Sequence, residues 1–223
     1  MKIINASYEI LRPKITVDAK DAEFQAIEGA GRTCYKSGEK ITPESAVRFT
    51  EKIIGLNHEA MLEHAFMSVR FIVDRGISHE IVRHRMASFA QESTRYCNYS
   101  KDKFGNELTF IKPCFFEEGS TAYNCWEKVC QNAEDMYMSM IHMGLKPEEA
   151  RCILPHSLKT ELVMTANMRE WRHFFRLRAA GETGRPHPQM LEVAVPLLKE
   201  VKAYMPELFE DIDSMEVEEW GRF

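Results

Sequence analysis

The spacing of apolar side chains divides the chain into short alternating stretches and several helical periods. Residues 1–12 alternate apolar and polar positions, as a strand with one buried face does. Residues 66–73, rich in Phe, Val and Ile, predict a second strand, and 108–111 and 158–165 two more. Helices are predicted over 21–35, with an acidic first turn, over 43–56, with Thr42 as N-cap, and over 77–85. The clearest helical period covers 122–143, where Trp126, Val129, Cys130, Ala133, Met136, Tyr137, Met140 and Ile141 share one face. Gly144 ends it, and Pro147-Glu148-Glu149 opens another helix with proline and acid in the first turn. Residues 168–178 and 188–204 also follow the helical period, the latter with Pro196 inside it. The methionines and aromatics on these faces are read as core. Helices alternating with a few strands predict a mixed α/β or α+β fold, and no repeat or linker divides residues 1–223 into more than one domain.

Composition narrows the classes. At 223 residues, 44% hydrophobic and 28% charged, the chain can bury a core. The formal net charge of −5, from 34 acidic and 29 basic side chains, argues against general nucleic-acid binding, which draws on a basic excess. No signal peptide and no long uncharged apolar stretch is present, so no membrane partner and a cytoplasmic location are expected. Six cysteines without a Cys-x-x-Cys pair predict reduced thiols, several of them in the core.

Three common motifs fail. Gly29-Ala30-Gly31 opens like a dinucleotide fingerprint, but Cys34 stands at the third glycine position. No Gly-Lys-Ser or Gly-Lys-Thr is present. His58-Glu59 begins like a zinc-protease helix, yet Leu62 occupies the second histidine position and His64 falls on another side, so no metal is predicted.

The informative segment runs from Arg83-His84-Arg85 to Ser93, Arg95 and Tyr96. Arginine offers a planar fork and hydroxyls add donors, a set suited to phosphate. The plain alternative is a solvated basic turn balanced by Glu80 and Glu92. A second element weighs against it. Over 168–178, Trp171, Phe174, Phe175 and Arg178 share one helical face, where an unpaired charge is costly. Arg169, Arg172, His173 and Arg176 fall on the other side.

Arg83-His84-Arg85 followed after seven residues by Ser93 resembles the signature of the flavin-dependent thymidylate synthases. Residues 30–35, His58-Glu59 with Glu63-His64, residues 150–155, Asn167-Met168-Arg169, Leu177-Arg178-Ala179 and His187-Pro188-Gln189 match in the same order. The resemblance implies an α+β fold of the thymidylate synthase-complementing type, an antiparallel sheet flanked by helices, in a homotetramer whose active sites are shared between subunits. It implies reductive methylation of dUMP to dTMP with methylenetetrahydrofolate as carbon donor, NADPH as reductant and FAD as hydride carrier, without a catalytic cysteine. The alternative is a flavin-binding reductase acting on another substrate.

Carried over by position, Arg83, His84 and Arg85 contact FAD, as do His58, Glu63, Gln91, Asn167, Arg169, His173 and His187. Glu80, Arg83, Gln91, Glu92, Ser93, Thr94, Arg95, Arg151 and Arg178 fall in the dUMP set, Ser93 and Arg95 on the phosphate. Arg178 takes the role of the catalytic arginine beside the uracil ring, stabilising negative charge as N3–H ionises. Ala60 and His173 replace a hydroxyl and an amide common at flavin contacts. Ala90-Gln91 stands for Asn-Glu, Glu80 for glutamine, and residues 181–186 form an insertion before His187.

Overall fold

The computed structural model describes residues 1–216. In chain order its elements are β1 (Lys2–Ile4), β2 (Ser7–Arg12), α1 (Val17–Tyr35), α2 (Ser45–Gly55), β3 (Phe66–Asp74), α3 (Arg75–Ile81) and β4 (Ala87–Gln91). There follow β5 (Thr109–Ile111), α4 (Thr121–His142), α5 (Pro147–Ala150), β6 (Lys159–Asn167), α6 (Met168–Arg178), α7 (Pro188–Tyr204) and α8 (Pro206–Phe209). Four strands form a sheet in the order β2-β3-β6-β4, and β1 pairs in parallel with β5, Lys2 opposite Thr109. Ser68 meets Thr165 at 2.8 Å, while the Arg75 N–H donates to Leu158 C=O at 3.1 Å. One residue number rises as the other falls, so β3 and β6 run antiparallel. Among the described residues no helix is long and apolar enough to cross a membrane.

Local signals explain most boundaries. The Thr16 hydroxyl accepts the Ala19 N–H at 3.3 Å, so α1 starts at Val17, ahead of the predicted residue 21. Thr42 does not cap α2. Its N–H donates to Ser45 Oγ at 2.9 Å, closing a turn that delays the helix to Ser45. The stretch read as one strand over 1–12 splits into β1 and β2. The helix predicted over 77–85 is α3, which ends at Ile81 and leaves Arg83-His84-Arg85 beyond it.

The chain forms two compact, interleaved units. The first comprises Met1–Ser7, Phe71–Arg83 and Ala90–Leu162. Its core gathers Tyr99, Leu108, Phe110, Cys130, Tyr137, Ala150 and Leu158. On α4 the buried line runs through Cys130, Glu134 and Tyr137, while Val129 and Met136 of the expected stripe are 57% and 55% exposed. Each precedes a buried residue by one position, which on a helix is about 100° of rotation and enough to reach water. Buried Glu134 accepts the Leu108 N–H at 3.0 Å and pairs with the amino terminus at 2.9 Å. All six cysteines are free thiols, but only Cys130 is buried, and burial pushes its thiol up to about 12. Cys97 is half-buried and the other four are exposed, fewer in the core than the composition suggested.

The second unit comprises Tyr8–Arg70, His84–Phe89 and the described residues from Val163 onward. Trp171, Phe174, Phe175, Leu198 and Phe209 are fully buried, and the Trp171 indole N–H donates to Met67 C=O at 2.9 Å. Gly31, part of the failed fingerprint, has a packing role: a Cβ there would lie 2.3 Å from the Phe49 ring. Phe49 is itself 8% exposed, and its ring must shift to admit a methyl group. Gly31→Ala is therefore expected to destabilise the protein by about 1–3 kcal/mol through overpacking. Urea unfolding reads the change, and unaltered stability would show that α1 and α2 separate at no cost.

Candidate active site

In the second unit, α6 begins where the Asn167 side chain accepts the Glu170 N–H at 2.8 Å. That cap fixes the first turn and directs Glu170 to His84, whose Nδ1 lies 3.0 Å from Glu170 Oε1. His84 is 3% exposed. At the end of α6 the Arg178 Nε–H donates to His84 Nε2 at 3.3 Å. A ring that accepts at Nε2 carries its proton on Nδ1, so His84 is a neutral donor to Glu170 rather than half of an ion pair. Burial, then the Arg178 charge and His173, lower its pKa from the ordinary 6.5 to about 4. Ligand-capable atoms of His84, Glu170 and His173 lie within 4.8 Å of one another. With both His84 nitrogens engaged and a guanidinium alongside, the trio suits hydrogen bonding better than a further cation.

The sign of this shift gives a pH dependence. A ring that is neutral when folded and titrates near 6.5 when unfolded contributes its full stability above 6.5 and loses it as pH falls toward 4. Between pH 7 and 5 the wild type is expected to lose roughly 1–2 kcal/mol more than His84→Gln. Denaturant titrations at the two values check this, and equal losses would remove His84 as the source.

Glu59, Glu63, Asn167, Arg169, Glu170 and His173 line one cavity of about 380 Å³, with Met86 and Arg176. Arg169 pairs with Glu63 at 2.6 Å. Arg172 departs from its expected place on the polar side: it is 1% exposed. Its Nε donates to Glu59 at 3.0 Å and its two Nη groups to the Asp211 carboxylate at 2.8 and 2.7 Å. Both acids come from distant segments, which no local spacing announces. His58 is not in that lining but in that of a larger cleft of about 840 Å³ along α1 and α2, with its Nδ1 2.9 Å from the Tyr35 hydroxyl. Arg85 is exposed, and His187 is the N-cap of α7, its ring accepting the Gln189 N–H at 3.3 Å.

The first unit gathers most of the expected dUMP set. Gln91 donates to Ser78 and Thr160 at 2.9 and 3.2 Å. Arg151 donates to the buried Thr94 hydroxyl at 3.4 Å. Ser93 Oγ accepts the Arg95 N–H at 3.3 Å, and the Arg95 guanidinium pairs with Glu148 at 2.8 Å on the surface. An exposed pair of this kind contributes little, so Arg95 exchanges it for an anion at small cost. Glu92 is engaged by the Tyr99 hydroxyl at 2.7 Å and Lys159 at 2.9 Å, an arrangement that braces the segment. Arg83 is exposed past the end of α3, and Glu80 is half-buried near that end. The residue missed in the sequence is Glu170. Asn167-x-x-Glu170 reads as a capping pattern, which conceals the second contact of the carboxylate.

The family profile described as thymidylate synthase complementing protein matches residues 16–207. A flavin-dependent thymidylate synthase of Geobacter sulfurreducens is 32% identical over 193 residues, spanning 83% of this chain and 80% of its own. Another, from Pyrococcus furiosus, is 34% identical over 174 residues, 77% of this chain and 68% of its own. Among solved structures, the UMP/dUMP methylase PolB from Streptomyces cacaoi, bound with 5-Br dUMP, gives a TM-score of 0.74 at 20% identity, covering 94% of this chain and 96% of that one. That likeness concerns the fold, which is the expected antiparallel sheet with helices.

Proposed function

The chain belongs to the thymidylate synthase complementing protein family, and from that premise we propose that it converts dUMP to dTMP as a flavin-dependent thymidylate synthase. The carbon comes from methylenetetrahydrofolate and the electrons from NADPH by way of FAD. The observation that carries the reading is the cavity lined by Glu63, Asn167, Arg169 and His173, beside a His84 held between Glu170 and Arg178. These residues fit a dinucleotide cofactor. Arg169 lies in the first turn of α6, where free N–H groups and the helix dipole favour a pyrophosphate, and its exposed pair with Glu63 is exchanged for one at small cost. Asn167 and His173 supply hydrogen bonds, and His58, Arg83, Arg85, Gln91 and His187 complete the proposed set. When bound, FAD supplies the hydride that no side chain can donate.

The remaining steps belong to the chain. Ser93, Arg95, Thr94 and Arg151 hold the dUMP phosphate, and Glu80, Arg83, Gln91 and Glu92 complete the nucleotide set. Arg178 stabilises the negative charge that develops as the uracil N3–H ionises. The reading includes a cytoplasmic homotetramer with shared active sites. It also treats 1–223 as one functional domain, because each unit is assembled from three separated segments and no single cut divides them.

The test is thymidylate formation by the purified protein from dUMP, methylenetetrahydrofolate and NADPH, with and without added FAD. Flavin-dependent product is the expected result. Flavin reduction by NADPH without product would assign a reductase acting on another substrate. Ser93→Ala is expected to weaken dUMP binding by about 10- to 100-fold, the effect of one hydrogen bond to a charged group, and to keep measurable turnover. Full loss of turnover with dUMP binding intact would make Ser93 something other than a phosphate ligand.

A further inference from the structure

Apart from His58, the lining of the larger cleft in the second unit has no role in the reading above. The cleft measures about 840 Å³, within the range of small-molecule sites. Part of the lining is apolar and aromatic, from Phe49, Ile53, Leu56 and Tyr35, and Leu56 and Tyr35 are 51% and 52% exposed. Cations lie among them: Lys40, Arg48 and Lys52 belong to the same lining. Arg32 also lines the cleft, but its charge is taken by Glu28 at 2.8 Å while it lies 4.7 Å from the centre of the Phe49 ring. None of Lys40, Arg48 and Lys52 has an ion-pair partner among the described residues, and the one acid of the lining, Glu44, accepts from Thr42. Arg48 and Lys52 are four residues apart on α2, a spacing at which like charges oppose helix formation. An anion between them relieves that repulsion. His58 on the wall belongs to the proposed flavin set, which places the cleft beside the reacting ligands of that reading.

We propose that the α1–α2 cleft binds the polyanionic end of an aromatic co-substrate, with Tyr35, Phe49 and Leu56 receiving the ring and Lys40, Arg48 and Lys52 the charges. The inference rests on the thymidylate synthase reading, which offers two sources of this chemistry: the glutamate carboxylates of the folate and the phosphates of NADPH.

The holoenzyme and its Arg48→Ala/Lys52→Ala variant are titrated calorimetrically with pteroylmonoglutamate, pteroyltriglutamate, NADPH and NADH at two salt concentrations. The wild type is expected to prefer the triglutamate over the monoglutamate by roughly five- to tenfold, the effect of a few exposed ion pairs, and high salt or the double substitution to abolish that preference. If the NADPH preference over NADH is lost instead, the anionic end is the 2′-phosphate. A variant that binds all four ligands as the wild type does overturns the proposal. Thymidylate formation is measured on both proteins. Normal product with unchanged binding rejects the cleft alone, whereas no product and no folate binding by the wild type rejects the functional reading together with it.

Discussion

Replacing Arg178 with alanine is expected to lower thymidylate formation by about a hundred- to a thousandfold while the protein stays folded. Arg178 is the last residue of α6, where a cation favours the helix dipole, and its Nε reaches His84 Nε2 at 3.3 Å. It is half-buried, so its charge acts in a medium that screens less than water. The stability cost is small because His84 is neutral and keeps its hydrogen bond to Glu170. Losing the neighbouring cation also removes one of the causes that lower the His84 pKa, so the ring is expected to titrate nearer 6.5. Arg178→Lys keeps the charge without the planar fork and is expected to fall between wild type and alanine. Steady-state turnover, a thermal melt and an NMR titration of the His84 ring separate these effects. Turnover close to wild type in Arg178→Ala would end the assignment of charge stabilisation to this residue.

Arg172→Ala is the substitution expected to cost the most stability, about 3–5 kcal/mol. The guanidinium is 1% exposed and bridges Glu59, Asp211 and the Leu208 carbonyl. Removing it leaves a cavity, and it leaves Glu59, 16% exposed, and the half-exposed Asp211 without their main counter-charge. Arg176 remains 3.3 Å from Asp211 and 3.6 Å from Glu59, but it is more exposed and recovers only part of the interaction. For a chain of this length the loss corresponds to a fall in Tm of roughly 6–20 °C. Arg172 holds Asp211 below the usual carboxylate range. That contribution is present above the unfolded pKa and lost as pH falls through the lower folded one, so the difference between wild type and variant is expected to narrow in acid. A change below 1 kcal/mol at pH 7 would mean that the pair only offsets its own desolvation.

Helices α6 and α7 begin and end at the residues their pattern predicts. Their signals are local: Asn167 caps one, His187 and Pro188 open the other, and apolar residues recur at helical spacing. Helix α2 starts later than its pattern predicts, since Thr42 and Ser45 compete for the turn within four residues. The buried line on α4 is narrower than the apolar stripe, because periodicity indicates that a face is apolar, not how much of it another element covers.

The identity of the family was already in the chain, because Arg83-His84-Arg85 and Ser93 are contiguous enough to be read without a fold. Cation-rich α6, the free thiols and the mixed strand and helix pattern are likewise properties of composition and short spacing. Only the tertiary structure decided which of those groups meet. His84 and Glu170 are 86 residues apart, Arg172 and Glu59 113 apart, and Gln91 and Thr160 69 apart. It alone showed that Arg172 is buried and paired, that His84 is neutral, and that Lys40, Arg48 and Lys52 face one cleft. The physical reason is range: caps and helical periods act over a few residues, whereas desolvation and charge pairing depend on whatever the folded chain brings within a few ångströms.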